Sequence, residues 1–415
     1  MAAKTVLVCS NGVNRGCGSI AVSVEQLLRR AGYRVVHASS GGSLALLRGM
    51  GREPYEIVGY HETYDRAKVD EAACVLDWVA KNVRYALDDR FRIDEMLEKE
   101  NPAVCVSIYE GFAAYSCYYR GIPVVEYSDM LFFKLLLHEC SDTQTDHASN
   151  YLTGLNIAMA PYTRGLAITL YPDEIRDCRI RVPPHCRVVG PLLADDVRAL
   201  SPLPRAARRH VCVYVSGATE KCAWLYSVLA TMTQHRFVVF DPDSTVCAAV
   251  GDGGNVQIRR TSREAFVDAL RHAYACITNS GLQTAAEAIH LQVYNYTLPT
   301  QNHHAQGAVS EAVQRAGAGE TCLRETSSKT KACPDFAPRL LAFLDRARDA
   351  DAWDVAPVPD GGAALLEAVR ACEAEGRAPN RSMVPRYACL LVGALVLGGA
   401  VAAIARAALG NARQK

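Results

Sequence analysis

One stretch, from Cys276 to Gly319, constrains the fold more strongly than the rest of this sequence. There, Ala275–Thr278 predicts a short buried strand, Ser280-Gly281 predicts a turn, and Leu282–His290 predicts a helix that is followed by another strand. A glycine turn between a parallel strand and a helix leaves backbone N–H groups where an anion can bind. The stretch therefore predicts a parallel α/β sheet with an anion site at its carboxyl edge.

Two polar residues of the same helix add a second feature to this site. Thr284 falls in the first helical turn, and Glu287 follows one turn later on the same face. The turn could hold a phosphate while Glu287 accepts hydrogen bonds from ribose hydroxyls. The alternative is an ordinary strand–turn–helix unit whose glycine only makes the turn, since such units are common in α/β proteins.

Apolar strands alternate with helices along most of the chain, which predicts parallel sheets covered on both faces. The α/β pattern occurs in two halves, each with a loop of small residues after its first strand. We therefore predict two Rossmann-like parallel-sheet domains facing a cleft. The predicted strands are Thr5–Cys9, Arg34–Ala38, Val104–Ile108, Val124–Tyr127, Leu166–Thr169, Arg187–Val189, Val211–Val215, Arg236–Phe240, Val256–Ile258, Ala275–Thr278 and Val293–Leu298.

The alternation breaks after Gly190-Pro191, where prolines and arginines without a sustained period indicate a linker. Helices predicted at Pro338–Arg348 and Ala363–Glu375 either pack back on the first domain or form a stalk. The predicted division is a first domain at 1–192, a linker at 193–210, a second domain at 211–348, a helical tail at 349–386 and a membrane segment at 387–409.

Composition excludes several classes of protein. The chain has 45 Lys and Arg against 44 Asp and Glu, so its charge gives no argument for nucleic-acid binding. Its 16 cysteines are scattered, with neither a C-x-x-C pair nor a zinc-like spacing. The amino terminus leads directly into a strand pattern without signal-peptide features. These features predict reduced thiols and a location facing the cytosol.

A membrane segment is predicted near the carboxyl terminus. No charged residue occurs from Ala388 to Ala405, and Arg386 and Arg406 flank this run. A helix of this length reaches about 27 Å, which is just enough for a bilayer core of about 30 Å. We predict a single-pass tail anchor over 387–409, in a membrane that the sequence does not identify. A buried or interfacial terminal helix is the alternative.

The order of these features resembles the GT-B glycosyltransferases, specifically the branch near the lipid-linked murein glycosyltransferases and the diglyceride galactosyltransferases. The S-G-x-x-T-x-x-E pattern of that family is present here, followed by a proline, by a Gln-x-x-Gln motif with histidine in its first position, and by Gly-x-Gly. The matching residues are Ser280, Gly281, Thr284, Glu287, Pro299, His303, Gln306, Gly317 and Gly319, with Gly190-Pro191, Gly121-Ile122-Pro123 and Phe266 elsewhere in the chain.

The resemblance implies an acceptor-binding first domain and a second domain that binds a UDP-sugar as substrate, with no cofactor. It also implies a site without a metal ion, and Asp241-Pro242-Asp243 is a weak candidate for metal binding. The implied donor-binding residues are Gly217, Ser280, Gly281, Thr284, Glu287, His303 and Gln306, and the implied acceptor or phosphate loop comprises Asn11, Gly12, Gly16 and Gly18.

One departure from the family concerns the catalytic base. The first loop of the family carries a histidine, whereas the loop from Cys9 to Ser19 has none. An inverting transfer needs a group that removes the acceptor's proton. Glu110 and Asp129, each at a predicted strand end, are the candidates, and surface or capping roles are the alternative. His303 and His304 are expected to contact phosphate or sugar, or to be solvated loop residues.

Three functions remain open from the sequence. The first is a membrane-tethered, inverting glycosyltransferase that moves a sugar from a nucleotide-diphosphate donor to a lipid or membrane-associated acceptor. The second is a sugar-nucleotide epimerase of the same fold. The third is a scaffold that binds sugar nucleotides but has lost transfer, which the missing loop histidine motivates.

Overall fold

The protein folds around two parallel β-sheets, which confirms the two Rossmann-like halves predicted from the alternating pattern. The structure is a computed structural model. It describes residues 3–12, 15–59, 64–65, 68–69, 71–129, 131, 161–175, 182–215, 219–241, 254–260, 262–300, 303–322 and 335–378.

The first sheet has seven strands in the order β3-β2-β1-β6-β7-β8-β9, and all its pairings are parallel. Helices cover both faces, so β1, β6 and β7 are buried along their whole length. The elements are β1 Thr5–Ser10, α1 Arg15–Arg30, β2 Arg34–Ser39, α2 Gly41–Gly49, β3 Tyr55–Glu56, the hairpin β4 Tyr64–Asp65 and β5 Lys68–Val69, α3 Glu71–Arg84, a π-helical turn Tyr85–Asp89, α4 Arg90–Glu100, β6 Val104–Ile108, α5 Phe112–Tyr119, β7 Val124–Ser128, β8 Arg164–Ile168, a 3₁₀ turn Pro172–Ile175 and β9 Cys186–Val189.

The second sheet has six parallel strands in the order β12-β11-β10-β13-β14-β15. Its central strand β13 is buried at every position, as expected for an apolar strand covered on both faces. The elements are β10 His210–Tyr214, α7 Thr219–Thr231, β11 Phe237–Asp241, β12 Val256–Arg260, α8 Arg263–Arg271, β13 Ala273–Thr278, α9 Leu282–His290, β14 Tyr294–Thr297, α10 His304–Arg315, β15 Gly319–Thr321 and α11 Phe336–Asp349.

A linker between the sheets carries the short helix α6, Asp195–Arg198, and a 3₁₀ turn, Arg205–Ala207. After α11 the chain returns to the first domain, where the last described helix α12, Gly362–Glu375, packs on α1 and on strands β6 to β8. The backbone N–H of Ala378 also donates to the carbonyl of Gly121 at 2.9 Å. The structure thus favours packing on the first domain over a stalk for this helix.

Helix α1 begins earlier than the sequence pattern predicts. We expected a glycine-rich loop up to Ser19, whereas the helix already starts at Arg15 and includes Gly16 and Gly18 in its first turn. A Cβ atom on Gly18 would lie 3.0 Å from the Cα of Ser43 in α2. The glycine therefore allows α1 and α2 to pack closely, which the composition of the segment alone did not show.

No helix in the described ranges is long and apolar enough to cross a membrane. The membrane segment predicted over 387–409 lies outside the described residues. Its assignment stays a prediction from the sequence.

A buried carboxylate stabilises the first domain. Glu25 on α1 is 4% exposed and accepts hydrogen bonds from Arg29 Nε at 2.8 Å and Arg52 Nε at 2.9 Å. Its Oε2 also lies 3.3 Å from Nε2 of His37. Burial by itself would raise the pKa of Glu25, but His37 and Arg52 outweigh burial and lower this pKa to about 2.

We expect this carboxylate to make the protein sensitive to acid. A carboxyl group whose folded pKa is depressed contributes stability that is complete above its unfolded pKa of about 4.3 and is lost as the pH falls towards about 2. Glu25→Gln should lower the free energy of unfolding by about 2 kcal/mol at pH 7. Urea unfolding of both proteins between pH 2 and pH 7 tests this. A difference that stays constant with pH would contradict it.

Candidate functional site

Each sheet has one point where the strand order reverses direction, and ligands of open α/β sheets bind outside the carboxyl ends of strands at such a point. In the second sheet it lies between β10 and β13, and in the first sheet between β1 and β6. The predicted donor turn after β13 is therefore at a favourable position. Gly217, which follows β10, lies outside the described residues.

We expected Gly281 to make the donor turn, but the residue with the left-handed backbone is Ser280. Ser280 has a φ of 64°, in the left-handed region, while Gly281 has an ordinary φ of −65°. Non-glycine residues in the left-handed region are uncommon and cluster at functional sites. Gly281 is exposed, and no described atom lies within 4 Å of the position that a Cβ atom would take there. The glycine thus keeps the space above the turn open.

A hydrogen-bond network joins the predicted donor residues from two loops. The hydroxyls of Ser280 and Ser310 are 2.6 Å apart, and Ser310 donates to the carbonyl of Gln306 at 2.9 Å. The side-chain Oε1 of Gln306 accepts from the N–H of Thr300 at 2.6 Å, and Nδ1 of His303 accepts from the N–H of Gln306 at 3.4 Å. His303 and Gln306 therefore shape the loop before α10 next to the donor turn. The sequence pattern did not indicate Ser310, which contributes the link between the loops.

The structure gives Glu287 partners other than a ligand. Its carboxylate is 1% exposed and accepts from Arg263 Nη1 at Oε2 and from Arg263 Nη2 at Oε1, both at 2.9 Å. Gln283 Nε2 donates to Oε1 at 3.0 Å. Thr284, by contrast, is half-buried on the first turn of α9. No sequence signal pointed to Arg263, because it lies far from Glu287 along the chain at the start of α8.

The first-sheet loop contacts the backbone of two neighbouring segments, after β6 and after β2. Asn11 is buried, and its N–H donates to Ile108 O at 3.0 Å while its Nδ2 donates to Tyr109 O at 2.9 Å. A Cβ atom on Gly12 would lie 2.3 Å from the carbonyl oxygen of Ser40, so only glycine fits there. Asn11 and Gly12 lie at the carboxyl end of β1. Of the predicted loop residues, only these two remain outside α1.

Glu110 caps a helix, which is the alternative that the sequence left open for it. Its carboxylate accepts from the N–H groups of Phe112 at 2.9 Å and Ala113 at 2.8 Å, at the start of α5, and the residue is 1% exposed. Burial raises its pKa to about 7, although the backbone hydrogen bonds act in the opposite direction. Both oxygens of the Glu110 carboxylate thus accept hydrogen bonds from the start of α5, and its role as a base stays a prediction.

Asp129 directly follows β7 and is half-buried, at the same sheet edge as the loop after β1.

No group of three metal-binding side chains occurs among the described residues. Asp241 ends β11, while Asp243 lies outside the described part of the chain. The side chain of His304 is also not described.

Two parallel α/β domains with strand-order reversals and a linker define the GT-B architecture. Residues 7–339 match the Glycosyl transferase family 1. The chain belongs to that family. The glycosyltransferase class implied by the sequence resemblance is thereby confirmed, while the branch near the murein and diglyceride enzymes remains a prediction. No curated protein sequence matches the chain.

Solved structures share the fold at low sequence identity. The glycotransferase of kitacinnamycin is 16% identical with a TM-score of 0.55, covering 90% of this chain and 96% of that chain. The spinosyn rhamnosyltransferase SpnG in complex with thymidine diphosphate is 16% identical with a TM-score of 0.55, covering 91% and 98%. A putative UDP-N-acetylglucosamine 2-epimerase from Listeria monocytogenes is 14% identical with a TM-score of 0.58, covering 92% and 100%.

Proposed function

We propose that this family member transfers a sugar from a uridine diphosphate donor, without a metal ion and with inversion at the sugar carbon. The acceptor is a lipid or membrane-associated molecule, and residues 387–409 anchor the protein with both domains on the cytosolic side. The family match supports the transferase class. The apolar run near the carboxyl terminus supports the proposed membrane anchor and the proposed membrane-associated acceptor.

The first turn of α9 is the observation that carries the donor site. Among the described residues, the backbone N–H groups from Gly281 to Thr284 have no hydrogen-bond partner. These groups and the helix dipole together favour a negatively charged ligand. The diphosphate of the donor fits this chemistry, because the same groups stabilise the charge that grows on it as the sugar leaves. A metal ion is not required for that purpose.

The acceptor's proton goes to Asp129 in this proposal. We choose Asp129 over Glu110 because the Glu110 carboxylate accepts hydrogen bonds from the amino terminus of α5. General base catalysis contributes about 100-fold or more, so Asp129→Asn should lower transfer by about that factor. Binding of UDP should not change, because Asp129 lies on the other sheet.

Transfer of label from radioactive UDP-sugars to a membrane extract measures this effect. Asp354→Asn is the matched control, since Asp354 is an exposed carboxylate in the segment between α11 and α12. Equal transfer by wild type and Asp129→Asn would exclude Asp129 as the base. Tight UDP binding without any transfer would favour the scaffold function.

An epimerase is the second candidate, favoured by the fold shared with the Listeria protein. The two activities differ in their products. An epimerase converts UDP-N-acetylglucosamine to its epimer with no acceptor present, whereas a transferase releases UDP and needs an acceptor. Chromatography of UDP-N-acetylglucosamine after incubation with the protein alone therefore separates the two.

A further inference from the structure

Four side chains form a polar cluster where the donor helix meets the linker. We call Asp196, Arg263, Gln283 and Glu287 the linker cluster. Arg263 joins two carboxylates, because it binds both oxygens of Glu287 and also donates to Asp196 Oδ2 from Nε at 2.8 Å and to Asp196 Oδ1 from Nη2 at 2.9 Å. Burial alone would lower the pKa of Arg263, but Glu287 and Asp196 raise it well above the usual value. The guanidinium is therefore charged in this cluster.

The hydrogen-bonding capacity of Glu287 is almost exhausted by this cluster. A carboxylate offers about four lone-pair sites on its two oxygens. Oε1 accepts from Arg263 and Gln283, and Oε2 accepts from Arg263. With the carboxylate 1% exposed, the remaining site on Oε2 does not face solvent. A ribose diol would have to displace a two-point ion pair, which is among the strongest hydrogen-bonded arrangements in proteins.

The other side of the cluster connects to the linker. Gln283 Nε2 donates to the carbonyl of Leu192 at 3.2 Å, and Asp196 belongs to the linker helix α6. The neighbouring Asp195 forms an ion pair with Arg30 of α1 in the first domain. Adjacent carboxylates of one short helix thus bind one domain each. The donor helix is coupled to the first domain through this helix.

We propose that Arg263 is a positioning residue which anchors the donor helix α9 to the linker through Glu287, and that Glu287 does not recognise the ribose of the donor. This inference rests on the proposed function, because it concerns how the same site selects its nucleotide. The affinity of the donor pocket then comes from the diphosphate at the first turn of α9 and from contacts other than Glu287. The carboxylate of Glu287 adds no preference for a ribose that carries both hydroxyls.

A thermodynamic cycle that combines one substitution, Glu287→Gln, with one change of ligand, from UDP to 2′,3′-dideoxy-UDP, tests this directly. Calorimetry gives the affinity ratio of the two nucleotides for wild type and for Glu287→Gln in the full-length protein. We expect the ratio to be the same in both proteins within about threefold, whatever its value in wild type. A buried group that hydrogen-bonds a ligand hydroxyl rejects the analogue without it by orders of magnitude.

Each outcome decides between the alternatives. A ratio that falls by tenfold or more in Glu287→Gln would show that Glu287 recognises the ribose and would overturn the inference alone. Failure of folded wild type to bind UDP would instead overturn the proposed function, and the inference with it. If Glu287→Gln does not fold, Glu287→Asp gives the same comparison, because the shorter carboxylate also withdraws from its present position.

The positioning role has a separate readout. Asp196→Asn weakens only the linker side of the cluster and leaves the Arg263–Glu287 pair in place. We expect faster amide hydrogen exchange in α6 and in the first turn of α9, with UDP affinity reduced by less than threefold. Asp354→Asn again serves as the control. Unchanged exchange in α9 would contradict the anchoring role.

Discussion

Gly281→Leu is expected to weaken nucleotide binding by at least about 100-fold without lowering the thermal stability of the protein. The residue has an ordinary φ of −65°, and no described atom lies within 4 Å of the position that its Cβ atom would take, so the new side chain meets no obstacle in the fold. It does occupy the space over the free N–H groups of α9. Loss of two charge-assisted hydrogen bonds of about 1.5 kcal/mol each weakens UDP binding by at least about 100-fold.

Calorimetric titration with UDP measures this loss, and thermal unfolding measures the stability. Gly49→Leu is the matched control, since Gly49 is exposed at the end of α2 and also has no described neighbour within 4 Å. The control should bind UDP as wild type does. If Gly281→Leu binds UDP normally, the diphosphate does not lie over this turn, and the donor site must be elsewhere.

Arg263→Met is expected to destabilise the protein by about 3 to 5 kcal/mol. The substitution leaves the buried carboxylate of Glu287 without its main partner, and removing one member of a buried ion pair has a cost of that size. Asp196 also loses its partner, but it is more exposed and contributes less. Burial by itself would raise the pKa of Asp196, and Arg263 holds this pKa below its usual value.

The double variant Arg263→Met, Glu287→Gln should recover most of the lost stability, since no buried charge remains unpaired. Urea unfolding of the wild type, both single variants and the double variant measures the coupling between the two residues. Arg187→Met is the control, because its ion pair with Glu367 is exposed on both sides. Additive effects in the cycle would contradict the direct pairing of Arg263 with Glu287.

The sequence was sufficient for the features that depend on local pattern. Strands such as β1 and β13 are mostly apolar, which identifies them as central parallel strands, and the turn after β13 is marked by a serine and a glycine. The position of α1 was less accessible. Gly16 and Gly18 indicated a loop by composition, but the close contact with α2 makes Gly18 compatible with a helix.

Long-range pairings were not accessible from the sequence. The spacing of Thr284 and Glu287 on α9 was evident, yet the partner of Glu287 is an arginine on another helix. Glu110 illustrates the same limit, because its strand-end position suggests a catalytic base but does not show that its carboxylate accepts from N–H groups of α5. A carboxylate at a strand end can cap a helix or act in catalysis. Its position in the sequence does not separate the two roles, because they depend on its three-dimensional surroundings.

The most direct test of the account compares UDP with uridine by calorimetry on the full-length protein, in the presence of EDTA. The account predicts that UDP binds with a dissociation constant on the order of micromolar, while uridine binds at least about 100-fold more weakly because it lacks the diphosphate. Removal of divalent metal should not change the affinity for UDP. Absence of UDP binding by folded protein would contradict the donor site at the first turn of α9.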